Sequence, residues 1–366
     1  MRRVAAPLAA VLCGLAVGAC GGGAEPGAPQ GATLVLDFQA NAVHSGLYAA
    51  KARGYFEDEG LDLDIREPSS SADGAKLLET GSAEFAILDI NDFGIARERG
   101  FNIVAIAAIA QRPLASVIAA DRNEVRTPAD LAGRTVGVTG VPSDDAVLDT
   151  VLAAGGLAPG AVERQTIGFQ SVPLLAAGQL DAATAFWNAE GVGLRQRGVP
   201  TREFRVDEFG APRYPELVVA VPGDAIPSVA RQAGEAVSRS LPCVFMRGLE
   251  RGYGVLADDP DAALEGLLEA VPAASPDAQS AQLAALVAAN AFTPPPARGP
   301  ASALEDAGVT SAALSLRAGP AWLGWAASRR IVEAPGGSKA AARIAAGFRS
   351  DVSRSCGGGS PEAPAG

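Results

Sequence analysis

TLVLDFQANAVHSGLYAAKARGYFEDEGLDLDIR, residues 33–66, contains a strand, a helix and a second strand in succession. Residues 33–38 are an apolar run that ends in polar positions. Val43, Leu47 and Ala50 then recur at helical spacing, and Gly54 supplies a left-handed helix stop. Residues 61–66 alternate between apolar and polar, as a half-buried strand does. The same strand–helix–strand order continues downstream, which predicts an α/β fold with parallel sheets.

The α/β pattern restarts near Thr127-Pro128, which is typical of a helix start. A second α/β unit follows, and a strand at 216–221 returns before the chain becomes helical and rich in alanine. The sequence therefore predicts two lobes, the first formed by residues 33–115 and 218–352 and the second by residues 116–217. The predicted crossings near 113–124 and 210–219 would let the lobes close around a ligand.

The N-terminus has the features of an export signal. Arg2 and Arg3 precede a short apolar stretch, and Val17-Gly18-Ala19-Cys20 resembles a bacterial lipobox. We predict a signal peptide over 1–19, lipid on Cys20 and a flexible tether over 20–32. The lipid would anchor the protein to the membrane, on the outer face of the cytoplasmic membrane or in the periplasm. The alternative is an ordinary signal peptide that contains a cysteine.

The chain has four cysteines, of which Cys13 lies in the predicted signal and Cys20 is the predicted lipid site. Cys243 and Cys356 remain as an even pair in an oxidising compartment, which favours a disulfide over two free thiols. With a single histidine they make a poor zinc site, so we predict no metal. Residues 353–366 are rich in Gly, Pro and Ser and are predicted to be disordered.

The net charge of -11 makes nucleic acid an unfavourable partner and a neutral or cationic ligand an easier one to bind. Open α/β sheets bind ligands at the carboxyl ends of their strands. That rule selects a set of candidate ligand-binding residues: Asp37, Phe38, Asn41, His44, Tyr48, Asp89, Gln111, Ser116, Gly140, Ser143, Trp187, Glu190 and Tyr214.

The stretch LDFQANAVHSGLYAAKARGYFEDEGLDLDI (36–65) resembles the opening of bacterial solute-binding lipoproteins for thiamine-pyrimidine precursors. Further similar segments are LLETGSAEFAI (77–87), DLAGRTVGVTG (130–140) and GQLDAATAFWNAEG (178–191). Phe38 stands where the family usually has tryptophan, and Ala40 where it has proline. The resemblance implies a type II periplasmic-binding fold and delivery of a small molecule to an ABC permease and its ATPase. We also predict a monomer without a cofactor.

Within this resemblance His44 is predicted to contact the ligand, and Tyr48 lies one helical turn further on the same face. The alternative for His44 is a histidine at a helix start that binds backbone. Trp187 is predicted to stack on a planar ring, or else to fill the core. Glu190 is predicted to pair with the N–H edge of an aminopyrimidine, or else to be a charge at a helix N-terminus.

Two other functions remain open from the sequence. The same fold could bind another solute, such as a sulfonate or a flavin-related compound, and Arg112 keeps the sulfonate possible. The third hypothesis is an enzyme, because the superfamily includes a fungal pyrimidine synthase. That branch uses a cysteine-rich run and a lysine, which the corresponding segments FGAPRYPELVVAV (209–221) and GSAEFAIL (81–88) lack. We therefore predict a binding protein and not an enzyme.

Overall fold

The computed structural model of the chain describes residues 29–70, 73–121, 124–226 and 239–292. The predicted signal peptide, Cys20 and Cys356 lie outside these ranges, as do the predicted helices and tail beyond residue 292. Cys243 is disulfide-bonded. Its pairing with Cys356 stays a prediction.

In the described residues, ten strands form two five-stranded sheets. They are β1 (Gln30–Val35), β2 (Leu61–Arg66), β3 (Phe85–Asp89), β4 (Ile103–Ala110), β5 (Ala115–Ala120), β6 (Thr135–Val138), β7 (Glu163–Thr166), β8 (Ala182–Phe186), β9 (Thr201–Arg205) and β10 (Leu217–Pro222). The α-helices are α1 (Ser45–Ala52), α2 (Tyr55–Asp58), α3 (Asp73–Glu79), α4 (Ile90–Glu98), α5 (Pro142–Ala154), α6 (Ser171–Ala177), α7 (Val192–Gln196), α8 (Leu241–Asp258), α9 (Pro260–Ala270) and α10 (Pro276–Ala288).

The two sheets have equivalent strand orders. The first lobe has the order β2-β1-β3-β10-β4, and the second has β7-β6-β8-β5-β9. The prediction of purely parallel sheets is wrong, because β10 runs antiparallel to β3 and β4, and β5 runs antiparallel to β8 and β9. Each of these strands enters its sheet from the other lobe and therefore runs in the opposite direction. The fold class of two α/β lobes joined by two crossings is confirmed.

The core of the first lobe lies between its sheet and helices α1, α8 and α9. Phe245 of α8 stacks on Phe85 of β3 at 4.1 Å between ring centroids and on Phe56 of α2 at 5.5 Å. Glycines let α8 approach closely. A Cβ on Gly252 would collide with the Gly46 carbonyl oxygen and the Ala50 side chain of α1. Backbone contact between α8 and α1 therefore fixes the position of α1, which follows the end of β1 in the chain.

Replacing Gly252 with alanine is expected to lower the free energy of unfolding by about 1–3 kcal/mol, because the added methyl forces two packed helices apart. Gly254 on the same helix is a matched control, since a Cβ there meets nothing within 4 Å. Gly254→Ala should raise stability by up to about 1 kcal/mol through helix propensity. Urea denaturation of the two variants measures the difference, and equal effects at both positions would contradict the close-packing explanation.

Hydrogen bonds to a buried carboxyl group connect the two crossings. Glu216, directly before β10, accepts backbone N–H bonds from Leu114 at 2.5 Å and Ala115 at 3.0 Å. Its side chain also lies close enough to the Asp89 carboxyl group, at the end of β3, for the two groups to influence each other's pKa. Glu216 is fully buried. The hinge is therefore defined by one side chain that contacts both chain crossings and the end of a first-lobe strand.

The end of α10 packs across the hinge. The Gln111 N–H donates to the Ala291 carbonyl at 2.6 Å, and the Arg112 guanidinium donates to the Ala289 carbonyl at 3.2 Å. Arg112 also pairs with Asp207 at 3.0 Å, on the second crossing. In the second lobe, Gln196 donates to the Asp277 carbonyl at the start of α10. On the second crossing, Arg213 donates to the Asn290 carbonyl at 2.9 Å. The C-terminal part of the described chain thus contacts both crossings and the second lobe.

Candidate functional site

A cavity lies between the two lobes, and it encloses about 730 Å³ of space including its open mouth. We call it the interlobe cavity. It is lined by Asp37, Phe38, Leu88, Asp89 and Asp92 of the first lobe and by Ala115, Ser116, Thr139, Val141, Ser143, Asp144, Val147, Phe169, Thr184, Ala185, Phe186 and Glu190 of the second. Most of these positions follow the carboxyl ends of strands, where α/β folds place ligands.

Six of the residues selected from the sequence line the interlobe cavity: Asp37, Phe38, Asp89, Ser116, Ser143 and Glu190. They come from both lobes, as a closing cleft requires. The lobes already touch at the cavity. The Ser143 hydroxyl donates to Asp92 at 3.2 Å, and the rings of Phe38 and Phe169 meet edge to face at 4.8 Å between centroids.

His44 does not line the interlobe cavity, and its direct contact with a ligand stays a prediction. The ring is fully buried, and its Nδ1 accepts the Asn41 backbone N–H at 3.2 Å. Nε2 lies 2.8 Å from Asp37 Oδ1. Since Nδ1 is an acceptor, Nε2 carries the proton and donates it to Asp37. The lone histidine therefore orients Asp37, a carboxylate of the cavity wall. Its bond to the Asn41 backbone agrees with the alternative of a histidine at a helix start that binds backbone.

Trp187 also lies outside the cavity lining, and the alternative of core filling holds. Its ring is fully buried, and its Nε1–H donates to the Pro113 carbonyl at 3.0 Å. The Arg205 guanidinium covers the ring at 4.1 Å from the centroid. Trp187 packs against the first crossing and belongs to the main core of the first lobe. It therefore supports the hinge, and its stacking on a ligand stays a prediction.

The other five selected residues do not line the cavity either. Asn41 caps the turn before α1 by accepting the Val43 N–H, and Tyr48 is buried in the first-lobe core, where burial followed by the charge of Glu67 raises its pKa to about 12. Gln111 and Tyr214 are buried at the hinge. Gly140 is exposed with φ of 103°, a left-handed conformation that suits glycine in the loop before α5.

Carboxyl groups dominate the polar surface of the interlobe cavity: Asp37, Asp89, Asp92, Asp144 and Glu190. Burial raises the pKa of Asp89 and Asp92 well above their ordinary range, and neighbouring acidic groups raise it further. Burial also raises the pKa of Asp144. The lining residues include no Lys, Arg or His, and Arg112 is engaged at the hinge. The cavity therefore suits a ligand that donates hydrogen bonds or carries positive charge.

Glu190 is the carboxyl group best placed to pair with a ligand. It sits in a π-helical turn, Trp187–Gly191, that follows β8. Its Oε2 accepts the Phe186 backbone N–H at 3.1 Å, and the side chain lines the interlobe cavity. Burial raises the pKa of Glu190 to about 7. The group can therefore present either an acid or a carboxylate near neutral pH.

Sequence reasoning did not select Asp92, Asp144, Phe169 or Phe186 as ligand contacts. Asp92 follows Asp89 by three residues in the first turn of α4, so the two share one helix end. Phe169 comes just after β7, and the rule of strand ends that selected the other residues would have included it. Asp144, in the first turn of α5, also contributes directly to the cavity wall.

Neither a metal centre nor a membrane span is found in the described part of the chain. No group of three or more His, Cys, Asp or Glu side chains there is arranged to hold a metal ion. Every described helix is too short or too polar to cross a lipid bilayer.

The fold and the cavity define a protein of the type II periplasmic-binding class. The family model described as NMT1/THI5 like matches residues 41–263, and the chain belongs to that family. Among curated relatives, it is 31% identical over 236 residues to the formylaminopyrimidine-binding protein of Halalkalibacterium halodurans, which spans 64% of this chain and 69% of the relative. It is 27% identical to a putative thiamine biosynthesis protein of Haemophilus influenzae, over 66% of this chain and 73% of the relative.

Solved structures support the same fold. The alkanesulfonate-binding protein from Xanthomonas axonopodis pv. citri matches with a TM-score of 0.56 at 18% identity, covering 70% of this chain and 84% of that one. The periplasmic nitrate-binding protein from Synechocystis PCC 6803 matches with a TM-score of 0.51 at 14% identity, covering 66% of each chain. At these identities the likeness concerns the fold alone, so the ligand must be argued from the cavity.

Proposed function

We propose that this protein is an extracytoplasmic solute-binding lipoprotein that captures a thiamine-pyrimidine precursor and delivers it to an ABC importer. The observation that carries the proposal is the interlobe cavity lined by five carboxyl groups and three phenylalanines, with no cationic side chain among its lining residues. An aminopyrimidine has a flat ring for the phenylalanines and an N–H edge for Glu190. A similar curated protein is named for binding formylaminopyrimidine, which agrees with that chemistry.

The proposal includes a route of transport. Lipid on Cys20 would hold the protein at the membrane, and ligand contacts made to both lobes would shift the population toward the closed form. The closed monomer would dock on a permease driven by an ATPase. The chain would act as a binding protein and not as an enzyme, since both nitrogens of its single histidine are committed to internal hydrogen bonds.

A sulfonate ligand is disfavoured by the same cavity. A sulfonate requires cationic side chains or free backbone N–H groups, and the Arg112 that kept this hypothesis open lies at the hinge, paired with Asp207.

Native mass spectrometry of the protein as purified tests the proposal. The expected result is a co-purified molecule with the mass of an aminopyrimidine. A co-purified sulfonate or flavin would refute the proposed ligand. For protein that purifies empty, formylaminopyrimidine is added, and the absence of a mass shift would count against the proposal.

Phe169 is expected to slow the escape of the ligand, because its ring, 36% exposed, meets Phe38 across the mouth of the interlobe cavity. Phe169→Ala should raise the dissociation rate of formylaminopyrimidine by about 2- to 10-fold, because the substitution removes the aromatic pair with Phe38. Surface plasmon resonance measures this rate. Phe209→Ala is the matched control, since Phe209 makes an edge-to-face pair with Phe204 inside the second lobe. Equal rates for both variants would contradict the assignment.

A further inference from the structure

We propose that Asp144 makes the interlobe cavity reject anionic ligands, phosphorylated pyrimidines included, by placing its own carboxylate where an anion would otherwise bind. This inference rests on the proposed function, because it concerns which ligands the same cavity accepts. It assigns a specificity-determining role to a residue at the start of α5.

The Asp144 carboxylate takes the hydrogen-bond donors of its loop. Its Oδ2 accepts the Thr139 backbone N–H at 2.6 Å and the Thr184 hydroxyl at 2.9 Å. Thr139 directly follows β6 and Thr184 lies within β8, beside the N-terminus of a 13-residue helix. Backbone N–H groups and the positive end of a helix together favour an anion. Here a side chain of the protein supplies the negative charge.

The surroundings of Asp144 strengthen the rejection. Asp92 faces it from the first lobe and contributes a charge interaction with it, and Glu190 lines the same cavity. A phosphate or sulfonate group that entered would have to displace the Asp144 carboxylate from its donors. It would also find no cationic partner among the lining residues.

The fold itself does not impose this preference. Two solved structures of similar fold are named for binding an alkanesulfonate and nitrate, both of which are anions. The difference must therefore come from the side chains of the cavity, and Asp144 is the one that occupies the donors at the head of α5.

Asp145 provides a matched control. It is the next residue on the same helix, its side chain is 54% exposed, and it pairs with Arg164 on the outer surface. Asp145→Asn removes the same formal charge as Asp144→Asn, but it does not free the donors of the cavity. In Asp144→Asn the amide oxygen can still accept from Thr139 or Thr184, so the loop keeps its support. Asp144→Ser is a second variant that opens more space.

The test measures the binding of inorganic phosphate and of two pyrimidines by calorimetry. The pyrimidines are 4-amino-5-hydroxymethyl-2-methylpyrimidine and its phosphate. The wild-type protein should prefer the unphosphorylated pyrimidine by at least about 100-fold, and Asp144→Asn should reduce that ratio at least about 10-fold by binding the phosphate more tightly. The Asp144 variants should also gain affinity for inorganic phosphate, whereas Asp145→Asn should change by less than about 2-fold. Melting curves confirm that the variants are folded.

The outcomes separate this inference from the proposed function. If the wild-type protein binds neither pyrimidine but the Asp144 variants still gain phosphate binding, the proposed function fails and the role of Asp144 stands. If the wild-type protein binds both pyrimidines equally, or if the two Asn variants behave alike, the role of Asp144 is overturned.

Discussion

Replacing Glu190 with leucine should weaken the binding of formylaminopyrimidine by about 2–3 kcal/mol, which corresponds to roughly 30- to 150-fold in Kd. Leucine fills a similar volume but cannot pair with the N–H edge of the ring, so that edge would be buried without a partner. It also leaves the Phe186 N–H without its acceptor. Calorimetry at pH 6 measures the change, and an unchanged Kd would remove Glu190 from the site.

The same carboxyl group predicts the pH dependence of binding. A carboxyl group and a ring nitrogen need one shared proton to pair, and the pKa of Glu190 is raised to about 7 by burial. Below pH 7 the folded protein supplies that proton. Above it, affinity should fall with rising pH, by up to about 10-fold per unit.

Glu190→Gln is the control for this pH dependence. Its amide keeps both a donor and an acceptor but does not titrate, so its affinity should stay level between pH 6 and 8. Equal slopes for the wild-type protein and Glu190→Gln would show that another group titrates.

The second large effect is expected at the hinge. Glu216→Ala should lower the free energy of unfolding by about 2–4 kcal/mol, because the buried N–H groups of Leu114 and Ala115 lose their shared acceptor. The substitution also leaves a cavity at the point where both crossings meet. Urea denaturation followed by circular dichroism measures the loss.

Glu216→Gln separates the hydrogen bonds from the charge. Its amide oxygen can accept the same two N–H groups, and its NH₂ group can donate to Asp89. Glu216→Gln should therefore stay within about 1 kcal/mol of the wild-type protein. A loss as large as that of the alanine variant would mean that the negative charge, and not the acceptor, holds the crossings together.

The fold was largely predictable because its signals are local. Hydrophobic periodicity and glycine stops located the strands and helices of both lobes, although the first strand begins at Gln30 and not at Thr33. The direction of β5 and β10 was not predictable from periodicity. It depends on how the chain passes between lobes, and an apolar strand has the same pattern in either direction.

The site was predictable only in part. The strand-end rule found Asp37, Asp89 and Glu190, because position along a strand determines which edge of the sheet a residue reaches. It also selected His44 and Trp187, which do not line the cavity and whose polar atoms bond to Asp37, Asn41 and Pro113 inside the protein. Sequence spacing indicates where a side chain lies along its element, but its hydrogen-bond partner is determined by tertiary contacts.

The binding of formylaminopyrimidine to the wild-type protein, measured by calorimetry at pH 6 and 8, tests the central claim most directly. If the interlobe cavity holds a planar ring against its carboxyl groups, one molecule should bind per chain, more tightly at pH 6 than at pH 8, while an alkanesulfonate gives no heat. Tight binding of the sulfonate with no response to the pyrimidine would contradict the account.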